Sequence, residues 1–217
     1  MKNLTLTLLI FCCFSAIAQN DNFNKFSIET SYGLNHPVSP KEIIRSYDGI
    51  QAADFSEFKH FDLGARYMLS SVYGFSLKFA YDRFQYDGSN LATSFYRIGA
   101  ETVVNLSKLL NTSFNRRRTF EIQAHGGVGL SIAKSKSRTG KDRIGNIILG
   151  VRPIFKISNS IALTTDLSYI VNFKQHYDYG GTSVYSTSPE GVVGGFVNFS
   201  VGLNFYFGDR RYHADWY

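Results

Sequence analysis

Apolar and polar residues alternate with a period of two in eight stretches of the chain, the pattern of strands with one apolar face. In the first, Phe26, Ile28, Thr30, Tyr32 and Leu34 share one face, opposed by Lys25, Ser27, Glu29, Ser31, Gly33 and Asn35. The next three present Phe61, Leu63, Ala65, Tyr67 and Leu69; Phe75, Leu77, Phe79 and Tyr81; and Tyr96, Ile98, Ala100, Thr102 and Val104. The fifth and sixth present Phe120, Ile122, Ala124, Val128, Leu130 and Ile132, then Leu149, Val151, Pro153, Phe155 and Ile157. The last two present Ile161, Leu163, Thr165, Leu167, Tyr169, Val171 and Phe173, then Val197, Phe199, Val201, Leu203, Phe205 and Phe207. The segments run to roughly nine to thirteen residues, the length of a tilted membrane-crossing strand, where soluble sandwiches use about five or six.

The opposite faces carry the charge: Glu29, Asp62, Arg66, Lys78, Asp82, Arg97, Glu101, Glu121, Arg152, Lys156 and Asp166. The apolar faces carry almost none, as a lipid-facing wall requires, since a Lys or Arg at the bilayer midplane costs about 2–4 kcal/mol. Six acids against five bases is the balance a narrow lumen needs, because a buried charge must find a partner. The connections alternate in length. Ser70–Gly74 and Ser158–Ser160 are short, whereas Asn35–Phe58, Arg83–Ser94, Ala133–Gly145 and Lys174–Gly195 are long. Asn105–Arg118 breaks the alternation, and a brief helix over Leu106–Leu110 would fill it. Short periplasmic turns and long outer loops are the habit of outer-membrane barrels. The expectation is an all-β chain: an eight-stranded antiparallel up-and-down transmembrane β-barrel, both termini periplasmic, with no strand edge left facing lipid.

Composition adds two points. The chain is rich in Tyr (14), Phe (19) and Gly (19) and poor in Pro (4) and Met (2), which favours strands. Its beginning does not fit the barrel: Lys2 precedes the apolar run Leu4 to Ile17, and Ala16-Ile17-Ala18 places small residues where a signal peptidase reads. Residues 1–18 are therefore expected to be a cleaved signal peptide, residues 19–208 the barrel and residues 209–217 a periplasmic tail. Both cysteines, Cys12 and Cys13, fall inside the signal, so the mature chain has no disulfide and no thiol chemistry. Phe11 is too bulky for the small residue that a lipoprotein signal needs before its cysteine.

With these features the chain resembles the OmpA-like family of eight-stranded outer-membrane barrels. The segment Phe196 to Phe207 resembles the terminal strand read by the barrel-assembly machinery, and His213-Ala-Asp-Trp216 resembles a segment that in one branch joins the barrel to a peptidoglycan-binding domain. That domain is absent from this sequence. The resemblance implies fold and outer-membrane location in a Gram-negative envelope, and it leaves activity open.

Candidate chemistry is sparse. The charged lumen is either a gated ion path or a structural salt-bridge network; eight strands leave an interior that side chains can fill. A hydrolase would need Ser, His and an acid at one depth, and no motif announces such a set. His60 and His125 fall on the lumen face near Asp62 and Glu121, and His176 and Asp178 fall in a loop, where solvation explains them. No metal-ligand spacing stands out and no cofactor is expected. The basic run with Lys134, Lys136, Arg138, Lys141 and Arg143 is expected to face outward as a loop, either touching lipopolysaccharide phosphates or only solubilising. Arg116-Arg117-Arg118 gives a basic periplasmic turn. Tyr47, Tyr86, Tyr177, Tyr179 and Tyr185 suit either protein recognition by outer loops or the interfacial belt. The net charge of +6 has no aromatic-laced basic face, so nucleic acid is excluded. The leading expectation is a structural or interaction barrel that contacts outer-membrane lipid, and whose loops contact lipopolysaccharide or a protein partner. A small pore is the alternative and an enzyme the least expected.

Overall fold

The structure is a computed structural model, and it describes residues 22–39, 56–85, 91–111, 119–184 and 189–217. Eight strands form a closed antiparallel ring: β1 (Phe26–Ser39), β2 (Glu57–Met68), β3 (Tyr73–Gln85), β4 (Ala92–Asn105), β5 (Phe120–Ser135), β6 (Asp142–Lys156), β7 (Ile161–Gln175) and β8 (Val192–Phe207). Each strand pairs with its neighbours in sequence, and the ring closes where β1 meets β8, from Phe26↔Phe207 to Ser39↔Gly195. Phe26 and Phe207 thus lie at one end of the barrel, here called the terminal end. The alternation assigned from sequence matches the wall: outward residues such as Leu77, Ile98, Val128, Leu130 and Leu167 are more than half exposed, and the charged inward residues are buried, apart from the half-buried Lys156.

Residues 1–18, Arg116 to Arg118, Tyr47, Tyr86 and Tyr185 lie outside the described residues. At the terminal end the β2–β3 and β6–β7 turns are tight. Leu69 N–H donates to Tyr73 O across one turn and Ile157 N–H to Ile161 O across another. Ser70 and Ser158 hydroxyls accept backbone N–H groups inside these turns. After β4 the expected short helix forms as α1 (Leu106–Leu109), capped by the Asn105 side chain, which accepts from Lys108 N at 3.1 Å.

The strands exceed the expected lengths, spanning 12 to 16 residues. The extra length lies at the end opposite the terminal end, the far end. There β3 continues to Gln85, β4 begins at Ala92, β5 runs to Ser135, β6 begins at Asp142 and β8 at Val192. Many inward residues toward this end are apolar, and Phe84, Phe95, Ala133, Ile144, Ile148, Ile170 and Phe196 form one buried cluster with Tyr179, although Thr93, Asp142 and Asn146 are buried there too. With apolar residues on both faces the period-two contrast vanishes, and the pattern ends before the strand does. Pro153 sits outward in β6, opposite Ile122 of β5, and the β6–β7 ladder skips from Val151 to Ile154 around it, as expected for a residue without an N–H.

Candidate functional site

The middle of the lumen is filled by charge. Arg152 spans two strands' acids, with Nη1 2.6 Å from Glu29 Oε2 and Nε 3.0 Å from Asp166 Oδ2. Arg66 Nε lies 2.6 Å from the other Glu29 oxygen. Lys78 Nζ is 3.2 Å from Glu101, whose carboxylate also lies 2.6 Å from His125 Nδ1. One level up, Arg97 Nη1 and His60 Nδ1 sit 3.1 and 2.7 Å from the two oxygens of Asp82. Ser31 Oγ donates to Asp62 Oδ2 at 2.6 Å, and Asn198 Nδ2 donates to Asp82 Oδ1 at 2.9 Å. A period-two strand can present each of these groups only inward, and the register decides who meets whom. Glycine helps: a Cβ on Gly150 would lie 2.3 Å from His125 Nε2, so glycine leaves room for that imidazole to pass over β6 toward Asp166 on β7.

Two of the expected lumen charges stand apart from this network. Lys156 does reach the inner side at the terminal end, but its ammonium lies over the rings of Tyr212 and Trp216, 4.8 and 5.8 Å from their centroids. Glu121, also inward, lies at the same end among Ser107, Asn105 and Lys108. Both are near the barrel's end, where the ladder of charged levels has stopped.

The register also creates a constellation that no motif announced. Ser168 Oγ lies 3.5 Å from His125 Nε2, and His125 Nδ1 lies 2.6 Å from Glu101. Ser, His and acid thus converge at one depth, contrary to the sequence expectation, because β4, β5 and β7 bring them together across the ring rather than along the chain. The details are those of a structural cluster. His125 Nε2 is closer to Asp166, at 3.0 Å, than to the serine, and the serine hydroxyl donates to Asp166 instead of to the imidazole. The free space there is about 20 Å³, bordered by His60, Lys78, Arg97 and Ser168. A second gap, beside Glu29, Arg152 and Asn204, is about 10 Å³. A single water needs about 10–15 Å³ on this measure, so neither gap admits a substrate.

Both ends of this core are capped. At the far end Tyr179, from the loop after β7, is driven into the mouth. Its ring is 4.7 Å from Phe84, which itself stands 5.6 Å from Phe95 and 5.2 Å from Phe196. The Tyr179 hydroxyl donates to Gly195 O at 2.7 Å and accepts from Gly195 N at 3.1 Å. Tyr179 is therefore not a displayed recognition residue; its apolar ring gains more by burial than by solvation. The loop is steered inward by a bulge at the end of β7, where Lys174 takes φ +59°. His176 and Asp178, expected to be solvated, instead have protein partners, and Asp178 is buried. His176 Nδ1 is 2.9 Å from Asp142 Oδ1, and buried Asp178 accepts from Thr182 N at 2.7 Å.

The basic run divides into two parts. Only Lys136, Arg138 and Lys141 lie in the β5–β6 loop, all exposed. Lys134 and Arg143 are strand residues on the outer wall, because the apolar inward residues Ala133 and Ile144 extend both strands past the expected loop ends. Lys134 Nζ lies 5.0 Å above the Tyr96 ring. Cross-strand pairing places Arg83, Ser94 and Lys134 at one level and Ile132 beside Arg143. Arg83, which the alternation alone places in a loop, thus joins a basic strip at the far rim. Ser135 Oγ donates to Gly181 O at 2.7 Å, tying the basic loop to the loop that carries Tyr179.

At the terminal end the tail folds back, and residues 213–216 are buried against the barrel. His213, Asp215 and Trp216 have no exposed surface. Arg66 grips Asp215 with two parallel bonds of 2.9 and 2.7 Å, and Gln123 Nε2 and Tyr206 Oη donate to the same carboxylate at 2.9 and 3.0 Å. The Arg66 guanidinium, followed by His213, offsets the burial of Asp215 and holds its pKa well below the usual aspartate value. The His213 ring stacks on Tyr206 at 4.3 Å. Local sequence carries little sign of this docking, because Arg66 and Gln123 come from distant strands.

No family model and no curated protein matches the chain. Solved structures do. Neisserial surface protein A shares 14% of its residues over 84% of this chain and 97% of its own, with a TM-score of 0.53. A major outer membrane protein from Thermus thermophilus shares 10% over 84% of this chain and 98% of its own, with a TM-score of 0.50. The chain therefore has the eight-stranded β-barrel fold of outer-membrane proteins.

Proposed function

We propose that the chain is an outer-membrane barrel with a structural and interaction role, neither conducting nor catalytic. The sealed lumen carries this reading. A paired charge network fills the middle, Tyr179 and its phenylalanine neighbours cap the far end, and the tail caps the terminal end. Among the described residues, the two gaps within the charge network are about 20 and 10 Å³. Residues 1–18 serve as the export signal, and β8 serves as the strand read by the barrel-assembly machinery. The two tight turns at the terminal end, β2–β3 and β6–β7, favour a periplasmic position for it, as in barrels of this class.

The outer wall meets lipid, and the far rim meets the headgroups. Lys134, Arg143 and Arg83 on the wall, with Lys136, Arg138 and Lys141 above them, form a cationic surface that suits lipopolysaccharide phosphates. Lys134 over the Tyr96 ring, 5.0 Å from its centroid, has the arrangement of an interfacial aromatic with a cation at headgroup depth. The test is conductance of the refolded mature barrel in a planar bilayer, after a gel-mobility shift on heating verifies folding. A folded barrel that stays silent is the expected result. Reproducible discrete steps would overturn the sealed-barrel reading and make the pore the leading one. A chain that never gives the heat-sensitive mobility shift would instead refute its being a membrane barrel.

A further inference from the structure

We propose that residues 209–217 are an intramolecular latch, which docks only after the strand ring has closed and then clamps the β1–β8 seam. The receptor for this segment is assembled from nearly the whole chain. Arg66 comes from β2, Gln123 from β5 and Tyr206 from β8, and all three donate to the one carboxylate of Asp215. Asn24, just ahead of β1, holds the same segment by its backbone and its side chain. Its N–H donates to Tyr212 O at 2.8 Å and its carbonyl accepts from Ala214 N at 2.9 Å. Its side-chain amide donates to Arg210 O at 2.7 Å and accepts from Arg210 N at 2.8 Å. From the turn between β4 and β5, Lys108 donates to the carbonyls of Ala214 and Tyr217.

No run of neighbouring strands contains this set. A β-sheet that has not closed offers Asp215 only Tyr206, nine positions away on the adjoining strand. The Arg66 contact spans 149 positions and the Asn24 contacts span 186. Those partners face the tail together only when β1 has met β8. The carboxylate also has little reason to leave water before then, since a buried charge needs its full set of partners. Docking therefore follows closure. Once docked, the segment holds Asn24 on the β1 side of the seam and Tyr206 on the β8 side. Opening the seam then requires breaking these contacts along with the ladder.

Trp216 is the only tryptophan in the chain and is fully buried, so its fluorescence reports docking directly. Gel mobility without heating reports ring closure. The full mature chain is refolded from urea into detergent micelles and both signals are followed in time. The expected result is a mobility shift that precedes the blue shift of Trp216 and its protection from acrylamide. The D215N chain is expected to reach the same mobility while Trp216 stays red-shifted and open to the quencher. Burial of Trp216 before the mobility shift would overturn the proposal, and so would a D215N chain that docks as the wild type does. Where D215N yields too little closed barrel to read, the wild-type time course decides alone.

Discussion

Replacing Arg152 by methionine tests whether the lumen is dry. The guanidinium is buried between Glu29 and Asp166, at 2.6 and 3.0 Å. Removing one partner of a buried ion pair costs about 3–5 kcal/mol, because the remaining charge is left without compensation. Here each acid keeps a second partner: Glu29 has Arg66 at 2.6 Å and Asp166 has His125 at 3.0 Å. The loss should therefore fall at the lower end, about 3 kcal/mol. In an aqueous pore the same groups would be solvated, and the loss would be about 0–1 kcal/mol, as at a protein surface. The assay is urea unfolding of the barrel in micelles, read as the fraction of the fast-migrating form. Glu190→Gln, at an exposed position, serves as the control and should stay within about 0.5 kcal/mol of wild type. A loss below about 1 kcal/mol for Arg152→Met would mean that water fills the lumen, and the sealed core would have to be abandoned. The double change with Glu29→Gln should cost less than the sum of the two single changes, since the pair shares an interaction.

Three further outcomes are expected. Leu130→Arg, on the outer wall near mid-strand, should destabilise the membrane-inserted barrel by about 2–4 kcal/mol, measured by the same gel assay; normal assembly would show that this wall does not face lipid. Tyr179→Ala should cost about 3–5 kcal/mol by emptying the aromatic cap, while the barrel stays silent in a planar bilayer because the charge network still blocks the path; new channel steps would identify the cap as the sole seal. The latch should resist acid. The folded pKa of Asp215 is depressed below its usual 3.8, so its contribution is present above the unfolded value and is lost only as pH falls through the lower folded one. Trp216 emission should therefore stay blue-shifted through pH 5 and down to about pH 4, and a tail that undocks near pH 5 would show that Asp215 is not held by Arg66.

What could be read from the chain and what could not divides along a physical line. Facing is a local property: in a strand, a residue's side follows from its parity, so Glu29, Asp62, Arg66, Lys78, Asp82, Arg97, Glu101, Arg152 and Asp166 were assignable to the lumen without knowing their partners. The strand ends were not legible where Phe84, Phe95, Ile144 and Ile148 put apolar groups on the inner face as well. That loss of contrast is also why Lys134 and Arg143 read as loop residues while the fold keeps them on the wall.

The sequence by itself determined the class of fold, because period-two alternation of membrane length, with charge confined to one face, is compatible with few other architectures. Only the tertiary structure decided which lumen charges meet and where the tail seats. Pairing of Arg152 with Glu29 spans 123 positions, and seating of Asp215 on Arg66 spans 149. Such contacts depend on register and ring closure, which place residues from different strands at one depth. They leave no trace in the neighbouring residues of the chain.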